Sequence, residues 1–300
     1  MRLVFFGTPA DAVPALEALH AAGHEIPLVV TQPDRRRGRG TEPSASPVKA
    51  AATALGLPVR TPEKSREVVD EVSASGAEVG VVVAFGQLLP EALLDAVPHG
   101  FVNVHFSLLP RWRGAAPVER AMLAGDTETG VCIMALEAGL DTGPLYAHLA
   151  CTIGSHETAG ELRARLVGVG TELLVATLPS VPSTTPVPQR GEPTYADKLT
   201  VEEFALDWDQ TADELARVVR AGNPRPGAWT TDHGTRLKIW RARPLSAGID
   251  APPGTVFGHT RVATGEGALE LVEVQPEGRR VMPANAWLAG RRGPDALLGT

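Results

Sequence analysis

The sequence predicts an open, mostly parallel α/β sheet followed by a small C-terminal β-barrel. Three observations carry that expectation. Over the first two-thirds, short apolar runs alternate with helical patterns, as βαβ units do. Within that stretch residues 79–85 (VGVVVAF) show no polar alternation, the mark of a strand buried on both faces of a parallel sheet. Beyond Pro179 the pattern changes to short runs separated by Gly and Pro turns, which suggests a barrel.

Taken in order, residues 2–6 read as the first strand, and Gly7-Thr8-Pro9 turns into a helix with Val13, Leu16 and Leu19 on one face. A glycine turn before a helix can cradle phosphate. Here the Gly-x-Gly-x-x-Gly fingerprint is absent and Pro9 removes a backbone donor, so no dinucleotide is expected. Further strands are expected at 26–31, 79–85, 101–106, 131–136 and 145–153, then a long helix at 157–178 with Leu162, Leu166, Val169 and Leu173 inward. Pro179 to Pro193 holds five prolines and reads as a semi-rigid linker. A helix at 200–220 follows, then short strands at 237–242, 254–257, 261–264 and 269–274. The expected division is a catalytic domain over 1–180, a linker over 181–199 and a C-terminal barrel over 200–300.

Net charge is −7, which argues against a general nucleic-acid coat protein. The balance is 15 basic against 22 acidic residues over 1–197, but 13 against 13 over 198–300. A local basic patch can still hold RNA, because counterion release follows the phosphates contacted and not the global charge. Cys132 and Cys151 make no metal or disulfide spacing, which points to reduced thiols and a cytoplasmic protein. Met1 to Phe6 is too short for the apolar core of a signal peptide, and runs such as 79–85 are far shorter than a membrane span, so no membrane is expected.

Two segments can carry chemistry. In Asn103-Val104-His105 the amide and the imidazole are two apart and share one face of a strand, at the C-terminal end where open α/β sheets place ligands. Such a pair suits acyl transfer: the amide N–H can donate to a developing oxyanion, and the imidazole can donate a second bond or move a proton. The same pair also fits a polar strand end capped by its neighbours. The second segment, Gly139-Leu140-Asp141-Thr142-Gly143, is a tight loop at the end of another strand. An Asp in such a loop is ordinarily a turn residue, but from there a carboxylate could reach His105 and fix its tautomer.

Gly7-Thr8-Pro9, residues 31–35 (TQPDR), Gly38-Arg39-Gly40, residues 46–49 (SPVK), the run 103–117 (NVHFSLLPRWRGAAP) and residues 139–143 closely resemble the 10-formyltetrahydrofolate-dependent formyltransferase family. The resemblance continues through Tyr195-Ala196, Lys198-Leu199, Leu206-Asp207-Trp208, Asn223-Pro224 and Pro226, in order and over nearly the full chain. Residues 111–117 and the C-terminal region point to the tRNA-formylating branch. The resemblance implies the formyltransferase fold, a Rossmann-like sheet with an OB-like barrel. It also implies that the formyl group of 10-formyltetrahydrofolate, a co-substrate, passes to the α-amino group of methionyl-initiator tRNA. Asn103 and a protonated His105 would stabilise the tetrahedral oxyanion, with Asp141 assisting proton transfer and no metal required.

By the same resemblance the folate would lie against Phe85, Gln87, Leu88 and Leu89, against Gly139 and Leu140, and against Ser107, Leu108, Leu109 and Pro110. The loop with Arg35, Arg36, Arg37 and Arg39 would grip the tRNA acceptor end, joined by Lys198. Two departures from the family pattern are Thr41-Glu42-Pro43, where lysines often follow, and Phe106, where glycine is frequent. Arg220, Arg225, Arg236, Lys238, Arg241 and Arg243 are candidates for a positive face in the barrel. Trp208, Trp229, Trp240 and Trp287 read as core or domain-interface residues. A monomer suits a protein that must wrap an acceptor stem. Alternatives within the superfamily are transfer to a sugar nucleotide or to glycinamide ribonucleotide, or hydrolysis of formyltetrahydrofolate. A non-catalytic RNA-binding protein is disfavoured because Asn103, His105 and Asp141 are all present.

Overall fold

The computed structural model describes residues 1–36, 43–246, 250–290 and 297–299. Its chain divides into two compact units. One comprises Met1–Gly114, Glu128–Thr152 and Arg163–Tyr195; the other comprises Ala115–Thr127, Ile153–Leu162 and Ala196–Thr300. The division is interleaved in sequence, and the proline-rich segment falls in the first unit as far as Tyr195.

The first unit holds β1 (Arg2–Gly7), β2 (Glu25–Val30), β3 (Val59–Arg60), β4 (Val79–Val83), β5 (Phe101–His105), β6 (Glu128–Ala135) and β7 (Leu145–Thr152). They form one sheet in the order β7-β6-β5-β4-β1-β2-β3. Pairings among β1 to β5 are parallel, while β6 and β7 run antiparallel at one edge. Strand order reverses between β1 and β4, which makes the crevice beside them a topological switch point.

All five residues of β4 are buried, as a strand covered on both faces requires. The apolar run 79–85 outlasts the strand by two residues, because Ala84 and Gly86 take left-handed φ values and turn the chain. Phe6 meets Phe85 and Phe101 edge-on at 5.2 and 5.4 Å, so the central strands share one aromatic cluster. Gly80 must be glycine, since a Cβ there would overlap the Phe101 ring.

The long helix spans Ala159–Thr177. Its buried stripe runs through Leu162, Leu166, Val167, Gly170 and Leu174, whereas Val169 and Leu173 are only half-buried, contrary to the expected pattern. The reason is a close approach at Gly170: a Cβ there would stand 3.0 Å from Val104 and 3.1 Å from Val131. That approach rotates the inward face toward the i, i+4 row through Gly170. Residues Ala159–Ser183 have the length and composition to cross a membrane, a test that the core helix of a soluble protein also passes.

The second unit holds β8 (Ala228–Asp232), β9 (Thr235–Leu245), β10 (Val256–Phe257), β11 (Arg261–Ala263), β12 (Ala268–Pro276) and β13 (Met282–Pro283). The order is β8-β9-β12-β11-β10, with β13 also on β12, and all pairings are antiparallel. Leu298 bridges to Asp232 on β8 and Leu297 to Thr255 beside β10, so one short segment joins both edges of the sheet. The helix expected at 200–220 begins only at Ala212, where Thr211 and Glu214 form a capping box. Upstream, the Leu206 N–H bonds the Trp229 carbonyl at 2.8 Å, which holds that stretch extended along β8. Leu206, Trp208, Leu215, Val219 and Trp287 pack with the inner residues of β9 and β12 into one core.

Candidate active site

Alternation along β5 sends Val102 and Val104 to one face and Asn103 and His105 to the other. Val104 packs where Gly170 lets the long helix approach, so the polar pair faces away from that helix. Asn103 lies in register between Val82 and Met134, and its side chain is half-buried.

His105 is 5% exposed. Its Nε2 lies 2.9 Å from the Trp112 carbonyl oxygen. A carbonyl only accepts, so Nε2 carries a proton and donates it there. Nδ1 then faces Asp141, whose Oδ2 is 3.6 Å away, within ion-pair range but beyond a direct hydrogen bond. The expected contact between the Asp141 loop and His105 is therefore present as an ion-pair approach. The tautomer, however, is held by Trp112 and not by the carboxylate.

Asp141 Oδ2 also accepts the Gly114 N–H at 2.8 Å. The Asp141 backbone is left-handed, with φ 51°. Gly143 packs so closely on the Ala135 carbonyl that a side chain there would overlap it, so the loop is drawn tight against the end of β6. Trp112 is left-handed too, with φ 63°. The two residues that bracket the His105 ring are thus both in a conformation that non-glycine residues seldom hold unaided.

The expected folate residues divide by what their side chains do. Phe85 is buried in the aromatic cluster, and its carbonyl already accepts Thr8 Oγ1 and Gln32 Nε2, each at 2.9 Å. Gln87 ties down the neighbouring loop, accepting the Ser65 N–H at 2.8 Å and donating to the Glu63 carbonyl at 3.2 Å. Ser107 is buried and donates to the Arg111 carbonyl at 2.6 Å, closing the turn after β5. Leu109 packs on Cys132 and Met134. Leu108 lies over Gly130, whose missing side chain makes room for it. Pro110 and Leu89 are half-buried. Leu88 and Leu140, by contrast, are 75% and 52% exposed, each on a loop after a strand.

Among the residues expected to touch RNA, Arg35 is exposed and its short strand pairs with Pro43–Ser44. The Arg36 side chain, Arg37 and Arg39 lie outside the described residues. Lys198 is exposed. In the second unit Arg220 is turned inward, donating to the carbonyls of Gly154 and Glu157 at 3.4 and 3.2 Å, and burial lowers its pKa. Arg241 approaches Glu161 and Glu273, and Arg243 approaches Glu270. Arg236 and Lys238 sit 4.0 and 5.8 Å from the rings of Trp229 and Trp240. Only Trp208 and Trp287 are core residues; Trp229 and Trp240 are half-buried on the outer side of the sheet.

Four contacts around His105 and Asp141 escaped the sequence. The Trp112 carbonyl and the Gly114 N–H are backbone groups inside a run whose side chains drew attention. Gln189 and Thr194 lie in the proline-rich segment, where no pattern singles them out.

Residues 1–178 match the family model for formyl transferase, and residues 198–292 that for the formyl transferase C-terminal domain. The chain belongs to the formyl transferase family. Its sequence is 49% identical over 302 residues to a methionyl-tRNA formyltransferase of Roseobacter denitrificans, covering 99% of this chain and 98% of that one. It is 48% identical over 300 residues to a methionyl-tRNA formyltransferase of Paracoccus denitrificans, covering 99% and 100%. Among solved structures, HypX from Aquifex aeolicus in complex with tetrahydrofolic acid superposes with a TM-score of 0.68 at 15% identity, over 97% of this chain and 47% of that one. An N-formyltransferase from Helicobacter canadensis superposes with a TM-score of 0.68 at 16% identity, over 90% and 98%. These two likenesses establish the fold.

Proposed function

We propose that this chain transfers the formyl group of 10-formyltetrahydrofolate to the α-amino group of methionyl initiator tRNA, with Asn103, His105 and Asp141 as its transfer centre. The observation that carries the reading is the position of His105. Its Nε2 proton is committed to the Trp112 carbonyl at 2.9 Å, which leaves Nδ1, 3.6 Å from Asp141, as the working nitrogen. With a proton on Nδ1 the ring pairs with the carboxylate and offers an N–H to an oxyanion. The Asn103 amide offers another from the same strand face. Both donors would act as the amine adds to the formyl carbon, and Asp141 would assist removal of the amine proton through water. The folate N10 is a weakly basic leaving group, so no covalent enzyme intermediate is needed.

Exposed Leu88 and Leu140 support the folate assignment, since a flat heterocycle would cover apolar side chains that water otherwise meets. The other folate positions (Phe85, Gln87, Leu89, Ser107, Leu108, Leu109, Pro110 and Gly139) would shape that surface through packing and backbone groups. Identity of 49% and 48% over nearly the full length of two methionyl-tRNA formyltransferases supports the acceptor. Arg35, Arg36, Arg37, Arg39 and Lys198 are assigned to the RNA, and residues 200–300 to a tRNA-binding domain joined through 181–199 to a catalytic domain over 1–180. The protein is read as a cytoplasmic monomer with no membrane attachment.

The test is formyl transfer from 10-formyltetrahydrofolate to charged initiator tRNA, beside elongator methionyl-tRNA and glycinamide ribonucleotide. Transfer confined to the initiator, and reduced about 100- to 1,000-fold by His105→Ala, is the expected result. Transfer to the small amine alone, or release of formate with no acceptor, would reassign the enzyme within its family.

A further inference from the structure

The proline-rich segment after the long helix has no motif of its own, yet it grips both loops that flank His105. Val187 and Leu145 exchange backbone hydrogen bonds of 2.8 Å in each direction, which lays the segment along the start of β7. Two residues on, Gln189 Nε2 donates to the Asp141 carbonyl and to the Gly143 carbonyl, both at 2.8 Å. Its Oε1 accepts from Arg113, at 2.7 Å from Nη2 and 3.1 Å from Nε. Further along, Thr194 Oγ1 accepts the Trp112 N–H at 2.9 Å.

The Gln189 amide is fully and unambiguously used. A flipped amide would aim its NH2 at a guanidinium and its oxygen at two carbonyls, so Arg113 dictates which way it points. What it holds is the left-handed Asp141 backbone at its own carbonyl, in the loop that presents the carboxylate to His105. Glycines give that loop its shape, but they supply no anchor. Beside the Gly114 N–H on the carboxylate and the Ala135 N–H on the Pro144 carbonyl, Gln189 is the side chain that ties two of the loop's carbonyls.

We infer that Gln189 is a positioning residue that sets the Asp141 carboxylate against His105, with Arg113 locking its amide. The inference rests on the assignment of Asn103, His105 and Asp141 as the transfer centre. Its test uses the full-length protein with 10-formyltetrahydrofolate and charged initiator tRNA, comparing wild type, Gln189→Ala, Gln189→Glu, Asp141→Asn and the double variant Gln189→Ala/Asp141→Asn. Gln189→Glu keeps an oxygen for Arg113 and replaces the two donated bonds by a carboxylate oxygen facing two carbonyls. It therefore carries the test even where Gln189→Ala fails to fold.

Each Gln189 variant is expected to lose roughly 10- to 100-fold in kcat, with KM for both substrates within about twofold, as a displaced catalytic group requires. The pH–rate profile should move in the direction in which Asp141→Asn moves it. In the Asp141→Asn background, Gln189→Ala should cost less than about twofold more, because the group it positions has already been disabled. A full additional loss in that background, a change in KM alone, or an unchanged kcat in Gln189→Glu would overturn the inference while leaving the centre intact. If Asp141→Asn itself keeps wild-type kcat, the centre is misassigned and the inference falls with it.

Discussion

The two sheets of this protein use their strands in opposite ways. In the first unit β4 buries all five of its residues, and the neighbouring strands are covered on both faces. Such strands leave little of their length free to meet a ligand, so the candidate chemistry gathers toward the end of β5, at Asn103 and His105, and in the loops beyond the strands. In the second unit β9 buries Leu237 and Ile239 toward the helix Ala212–Gly222, while Arg236, Lys238 and Trp240 stand on the other face. There the body of the sheet is itself an open surface on which aromatic and basic side chains stand beside Glu270, Glu273 and Gln275. The tryptophans divide along the same line: Trp208 and Trp287 serve the core, Trp229 and Trp240 the outer face. A doubly buried sheet supports point chemistry at its rim, whereas a singly buried one offers an area.

The largest expected effect that sharpens this contrast is Phe6→Ala. It removes a fully buried ring from the middle of the first sheet and should cost about 3–5 kcal/mol in urea unfolding. A loss below about 1 kcal/mol would mean the aromatic cluster is not the core of that unit. Next, Gly80→Ala would push a methyl into the Phe101 ring on a strand with no free side, for a loss of about 1–3 kcal/mol. On the presenting face of the second sheet, Arg236→Ala should cost no more than about 0.5–1 kcal/mol, the size of an exposed cation–π contact. A larger loss would break the contrast, because that face would then be structural.

Thr211→Ala should cost about 1 kcal/mol through the lost cap. It should also soften the acid limb of stability. Hydrogen bonds from the Thr211 backbone and hydroxyl lower the Glu214 pKa. A carboxylate with a depressed folded pKa stabilises above its ordinary range and loses that contribution as pH falls through the folded value. Removing the hydroxyl donor shrinks the loss, which urea midpoints between about pH 3 and 6 would detect. The smallest effect concerns the cysteines: burial pushes the Cys132 thiol up to about 11, so iodoacetamide at pH 8 should leave Cys132 unlabelled in the folded protein.

Much of the first sheet was legible because burial on both faces writes itself as unbroken apolar runs. Strand direction was not, since β6 and β7 read just as a parallel strand would and are antiparallel. The helix at Ala159–Thr177 was found, but two of its four expected inward residues were not, because a single glycine moved the contact line. In the second unit the late start of the helix at Ala212 was hidden. Residues 200–211 have acceptable helical composition, but they form one 3-10 turn at Glu202–Phe204 and then an extended stretch that pairs with Trp229 through Leu206. At the candidate site Asn103, His105 and Asp141 were visible as side-chain types at telling positions. The Trp112 carbonyl, the Gly114 N–H and the Gln189 amide were not, because a backbone group has no letter and a glutamine among prolines has no period.

The hydrogen bonds that Gln189 donates and that Thr194 accepts also bear on the order of events for a chain leaving the ribosome. Asn103, His105 and Asp141 emerge well before residue 189, so every strand of the first sheet can be in place while the loops around the histidine still lack their ties. The nascent chain thus holds the candidate residues before it holds the hydrogen bonds that tie their loops, and those ties arrive with a stretch of prolines.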